Sequence, residues 1–165
     1  MDDRAIVERQ LGRAPRAFRR VVVRCAYGLP AVTEQDPYDA NGDPFPTTYY
    51  LTCPHLVTSV SRLEAEGGVE RWTRQAREND VFAASLARGT AAQRRLRQEL
   101  AGARRGSDGG ASLALGIAGA REPENLKCLH AHAAFALAHL DYELGRAILD
   151  EVEPRWPPDG CCSSP

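Results

Sequence analysis

The spacing of apolar residues changes at Thr52-Cys53-Pro54-His55, and the chain reads differently on either side of it. Before it, residues 2–12 place Ile6, Val7 and Leu11 on one side of a short helix, which Arg13-Ala14-Pro15-Arg16 ends. Phe18 to Cys25 reads as a strand. Its Val21-Val22-Val23 is β-branched, continuous and apolar, the pattern of a buried strand. Tyr27-Gly28-Leu29-Pro30 is a turn, followed by a short second strand at Ala31-Val32-Thr33. The loop 36–46 turns at Asn41-Gly42-Asp43-Pro44, where Asn and Gly tolerate the left-handed conformation. Thr47-Thr48-Tyr49-Tyr50-Leu51 is a third strand, pairing with 31–34 or lying beside 20–25.

After the change the period is helical. Thr52 or Cys53 can cap a helix whose first position is Pro54, where the missing N–H costs nothing, with Leu56, Val57, Val60 and Leu63 on its apolar face. Gly67-Gly68 ends it. A short helix over 69–78 carries Trp72, and a longer one runs from Asp80 to about Arg105, with Gly89 and Thr90 as a candidate break. The segment 113–119 reads either as a last short strand or as a glycine-rich approach segment. Asn125 is expected to cap a helix from Leu126 to about His139, and a last short helix spans 142–149.

These elements predict an α+β fold: a small, mainly antiparallel sheet of about three strands covered by helices on one side. Residues 1–153 form a single domain, as a chain of 165 residues permits, and 154–165, rich in Pro, Gly and Ser, is expected to be a disordered tail. With 21 basic against 22 acidic residues there is no basic excess, which argues against nucleic acid as a partner. No apolar h-region follows Met1-Asp2-Asp3-Arg4, and no apolar run approaches the ~18 residues that span a bilayer. A cytoplasmic location with reduced cysteines is expected, with no membrane partner, which favours thiol chemistry or metal binding over disulfides.

The candidate chemistry falls at strand ends and helix N-termini, where layers converge on a cleft. Lys127-Cys128-Leu129-His130-Ala131-His132 packs a thiol and two imidazoles around the only lysine of the chain. Cys25 closes a strand, and Cys53 and His55 straddle a strand-to-helix junction. On a helix Cys128 and His132 share a face, the i, i+4 spacing that suits two ligands of one metal. His130 points elsewhere on that helix; Cys25, Cys53, Cys128 and His132 would make a Cys₃His set for zinc in which His55 could replace one member, with Cys53, Cys128 and His132 the leading ligands and Cys25, His55 and His130 next. The three cysteines could instead hold an iron–sulfur cluster. Against this, a cysteine beside a valine run is ordinarily a core residue. Cys161-Cys162 lie in the tail and look incidental.

A metal-free chemistry fits the same residues. Cys128 or Cys53 at a helix start would have its thiolate favoured by the dipole and by Lys127, with His55, His130 or His132 as base. Arg24, Arg121 and Lys127 would add an anion pocket. A third possibility is a helical interaction module, with a protein partner on the arginines between 94 and 105, although a solvated helix face is the plainer reading of those charges.

Three blocks carry a resemblance. Arg24-Cys25 with Tyr27-Gly28-Leu29-Pro30, Pro44-Phe45-Pro46-Thr47 leading to Tyr50-Leu51-Thr52-Cys53-Pro54-His55-Leu56, and Lys127 to Ala133 are similar to the signature blocks of the domain-of-unknown-function 501 family of small bacterial proteins. The likeness covers about 19–149. Ala26 stands where proline is expected and Ala118 where glycine is expected. The resemblance implies no assigned activity, so the leading expectation rests on the residues: a metal-binding protein, zinc first and an iron–sulfur cluster second.

Overall fold

Strand β1 (Phe18–Arg24) pairs antiparallel with β2 (Pro30–Gln35), and β2 with β3 (Tyr49–Leu51), so the sheet order is β1-β2-β3. The computed structural model describes residues 2–162. Of the two partners open to the third strand, it takes β2: Val32 faces Leu51 and Glu34 faces Tyr49. Every residue of the middle strand β2 is buried. Six α-helices accompany this sheet among the described residues, the α+β fold that the apolar pattern predicts.

Helix α1 (Asp3–Leu11) starts where the Asp2 carboxylate accepts the Arg4 N–H and ends on Gly12, whose φ of 68° is left-handed. It lies against β1 and β2. Helix α2 (Pro54–Ala65) begins with Pro54 at its first position and Cys53 as N-cap. Next come α3 (Gly68–Glu78) and α4 (Asp80–Ala101), whose N-cap Asn79 accepts the Phe82 N–H. The expected break at Gly89-Thr90 does not occur. A Cβ on Gly89 would come 3.0 Å from the ring of Tyr142, so this glycine serves close packing inside a continuous helix.

Helix α5 (Leu129–Ala138) is the centre of the molecule, packing on β3, on α2 and on α6 (Glu143–Asp150). Leu129 and 131–137 are all buried, so α5 is apolar nearly all round, as a core helix must be. Burying side chains such as Leu129 and Phe135 stabilises the fold by roughly 1.5–3 kcal/mol each.

Three further expectations are corrected. Residues 113–119 form no strand but two 3₁₀ turns, Ala111–Ala114 and Ile117–Gly119, in which Ala118 is left-handed at φ 61°. The last long helix starts at Leu129, not Leu126. The Leu126 N–H is held by Thr73 Oγ1 at 3.2 Å and the Asn125 amide by Glu122, which keeps the segment out of helical register. The arginines of 94–105 do not form one solvated face. Arg97 is 1% exposed and donates to the Phe45 carbonyl, Arg94 donates to the Ala114 carbonyl, and Arg104 pairs with Asp36.

Residues 154–162 lie against the body of the protein. Trp156 and Cys161 pack on the core, His55 Nε2 lies 2.9 Å from the Pro154 carbonyl, and the Tyr27 hydroxyl donates to that of Pro157. The remainder of the expected tail, 163–165, lies outside the described residues.

Candidate functional site

Cys128 is the N-cap of α5 and is extended, with φ −157° and ψ 121°. It therefore stands outside the helical repeat, and its Sγ lies 3.7 Å from Nδ1 of His130. The open end of α5 is not capped by Cys128 itself. Glu64, in the last turns of α2, crosses to it: Oε2 accepts the Leu129 N–H at 2.9 Å. The other oxygen, Oε1, lies 3.1 Å from the same His130 Nδ1. Among the described residues, Glu64, Cys128 and His130 are the one group in which three such donor atoms converge, all within 4.8 Å of one another.

The far side of the His130 ring fixes its protonation. Nε2 lies 3.2 Å from the Val57 carbonyl and 3.1 Å from Ser61 Oγ. A carbonyl only accepts, so Nε2 carries the proton. In a neutral ring Nδ1 would then be a bare lone pair facing a carboxylate and a sulfur. Burial pulls the pKa of His130 down, but the hydrogen bond and charge of Cys128, then Glu64 and the Val57 carbonyl, outweigh it, and the net shift is upward. The surroundings of the ring therefore favour its protonated form.

The site opens on a cavity of about 600 Å³. Cys128 and His130 form part of its wall, with Lys127 beside them and Thr52, Leu51 and Val57 across from β3 and α2. Glu64 is not part of that wall and is half-buried.

The other residues singled out in the sequence lie elsewhere. His132 is wholly inside the core, its Nδ1 2.7 Å from the Tyr142 hydroxyl, and burial pushes its pKa down to about 3. Its Nε2 has no hydrogen-bond partner among the described residues. The expected Cys128/His132 pair does not form because Cys128 precedes the first helical turn. Cys25 Sγ lies 3.9 Å from Cys161 Sγ, and Cys53 Sγ 3.7 Å from Cys162 Sγ. The tail cysteines, read as incidental, are thus the neighbours of Cys25 and Cys53, and no three cysteines converge among the described residues. Burial pushes the Cys53 thiol up, with Cys162 adding to it, although backbone N–H groups at the start of α2 oppose the shift. His55 is turned to the tail, and the Arg24 guanidinium is engaged by Asp3 at 3.1 and 2.8 Å.

Glu64 was not legible in the sequence. It belongs to no motif and lies 64 positions before Cys128, and only the packing of α2 on α5 brings it in.

The fold and site define a class: an α+β protein with a Glu/Cys/His cluster at the start of its central helix, open to a cavity. The chain belongs to the DUF501 family, described as a protein of unknown function, whose model matches residues 21–150. This is the family that the three sequence blocks resemble. No curated protein and no solved structure matches the chain. No helix among the described residues is long and apolar enough to cross a membrane.

Proposed function

We propose that Glu64, Cys128 and His130 bind a single zinc ion whose fourth position opens on the cavity, and that the protein uses this centre as a Lewis acid toward a ligand held there. The observation that carries the reading is the convergence of Glu64 Oε1 and Cys128 Sγ on one nitrogen, His130 Nδ1, at 3.1 and 3.7 Å. In a nucleophile–base–carboxylate triad the two partners take opposite ring nitrogens. Here the second nitrogen is spent on the Val57 carbonyl, which is how a metal-ligating histidine is ordinarily oriented. Zinc bonds of about 2.0–2.3 Å in tetrahedral array put sulfur and nitrogen about 3.6 Å apart, and nitrogen and oxygen about 3.4 Å apart. Three protein ligands with one open position are the pattern of catalytic rather than structural zinc.

One observation favours a second reading. The raised pKa of His130 would let a proton take the place of the ion, leaving a Cys128 thiolate beside an imidazolium at the cavity wall.

Elemental analysis of untagged protein purified without oxygen separates the two. About one zinc per chain is expected, lost in Glu64→Gln, Cys128→Ser and His130→Ala and kept in His132→Ala. Folded wild-type protein without metal, after incubation with zinc, overturns the metal centre. Fast alkylation of Cys128 near neutral pH, abolished by His130→Ala, then supports the thiolate.

A further inference from the structure

We infer that the cavity binds an organic carboxylate with an apolar body, its head at Lys127 and Thr52 and its body along the wall formed by Leu11, Leu51 and Val57. The inference rests on the metal reading only for what happens at the head group; the binding itself needs no ion.

The charge of the wall is one-sided. Arg13 and Lys127 line the cavity and no acidic residue does. Arg13 is steadied at Tyr50, its Nη2 3.1 Å from the hydroxyl and its guanidinium 5.9 Å from the ring centroid. Lys127 is exposed and adjoins the positive end of α5, a helix of 10 residues whose second and third residues, His130 and Ala131, also line the cavity. The start of α5 is already engaged by the Glu64 carboxylate, so the preference for an anion comes from Arg13 and Lys127, two cations on a wall that carries no acidic residue.

Thr52 supplies the independent observation. It is 1% exposed, lines the cavity, and its Oγ1 has no hydrogen-bond partner among the described residues. A buried hydroxyl left unpaired is destabilising, and a ligand oxygen would pair it. The rest of the wall is largely apolar, with Leu11, Leu51, Val57, Ala118 and Ala131, so the body of the ligand must be apolar as well. A volume of about 600 Å³ suits a small organic molecule and exceeds what an inorganic anion fills.

The test is calorimetric titration of the whole chain, after chelation and dialysis, with octanoate, octanol and inorganic phosphate as probes, on wild type, Lys127→Met and Thr52→Val. Octanoate is expected to bind more tightly than either other probe. Lys127→Met should weaken octanoate about tenfold and leave octanol unchanged, and Thr52→Val should weaken octanoate several-fold while the melting temperature of the unliganded protein does not fall. No octanoate binding by any of the three proteins overturns the inference. So does octanol binding as tightly as octanoate, or phosphate matching octanoate, which would mean a site for charge alone. Because the titration uses metal-free protein, its outcome is separate from that of the zinc analysis: octanoate binding without any zinc uptake sinks the metal centre alone, and zinc uptake without octanoate binding sinks the carboxylate site alone.

Discussion

Sγ of Cys128 lies 3.7 Å from Nδ1 of His130, two positions further on, while His132, four positions on, faces the core and meets Tyr142. The two histidines of one short stretch therefore do different work. His130→Ala should lower zinc affinity by more than about tenfold and leave the melting temperature of the metal-free protein little changed at a pH above the raised pKa of His130, where its ion pair no longer contributes. His132→Ala should keep one zinc per chain but cost roughly 2–4 kcal/mol, since it opens a cavity and leaves the buried Tyr142 hydroxyl unpaired. Zinc titration and urea denaturation of the two variants read these effects separately.

Glu64 has one oxygen on each of two tasks: Oε1 at His130 and Oε2 on the Leu129 N–H. Glu64→Gln keeps an acceptor for the helix N–H and removes the charge. It should weaken zinc binding at least about tenfold with little change in metal-free stability. Glu64→Ala should add a loss of about 1 kcal/mol, because the first turn of α5 then lacks its cap. Equal stability of the two variants would refute the capping role.

Much of the fold was legible because its signals are local. The valine run of β1, Pro54 at the start of α2 and the Asn41-Gly42 turn each carry their own conformational preference, and each element formed where its residues dictate, although Val21, Val22 and Val23 are only partly buried because β1 is an edge strand, not the buried strand that the run predicts. The site was half legible. Cys128 and His130 stand in one dense stretch, but their pairing depends on where α5 begins, and that is set by Thr73, 53 positions away in sequence from Leu126. Glu64, the neighbours of Cys25 and Cys53, and the burial of Arg97 are all tertiary facts with no local signature.

Ala118 tests the one strained alanine of the cavity wall. Its φ of 61° and ψ of 20° place it in the left-handed region, which costs an L-residue about 1–2 kcal/mol. The family resemblance leads to glycine at this position. Ala118→Gly removes the strain and adds back part of it as chain entropy in the unfolded state, so a net gain of about 0.5–1 kcal/mol is expected. A lower urea midpoint in this variant would show that the Ala118 methyl contributes more through packing than its backbone costs.

The cysteines predict their own cross-links. Cys25–Cys161 and Cys53–Cys162 stand at 3.9 and 3.7 Å, and a disulfide of about 2.05 Å needs only modest side-chain rotation. With a low-molecular-weight disulfide as oxidant, the exposed Cys162 should form a mixed disulfide, which Cys53 then displaces, releasing the reagent thiol. Peptide mapping should find these two bridges, and Cys162→Ser should lose only the bridge to Cys53. Cross-links from Cys53 to Cys128 would contradict the placement of the tail.

The pH dependence of stability separates the two histidines again. Unfolded, His132 titrates near about 6.5; folded, burial holds it at about 3. Between these values the unfolded chain takes up a proton that the folded chain refuses. The stability is therefore full above about pH 6.5 and is lost as pH falls toward 3, by about 2 kcal/mol at pH 5. His130 has the opposite sign: its folded pKa is raised, so its contribution in the metal-free protein is full below about 6.5 and fades as pH rises through the raised value. Asp108, held down to about 2, contributes stability that is lost only below about pH 4, outside the range in which His132 is read. Urea midpoints of metal-free protein across about pH 4 to 8 should fall on both sides of a maximum. His132→Asn should flatten the acid side and His130→Ala the alkaline side, and an acid limb that survives in His132→Asn would show that the buried imidazole does not govern it.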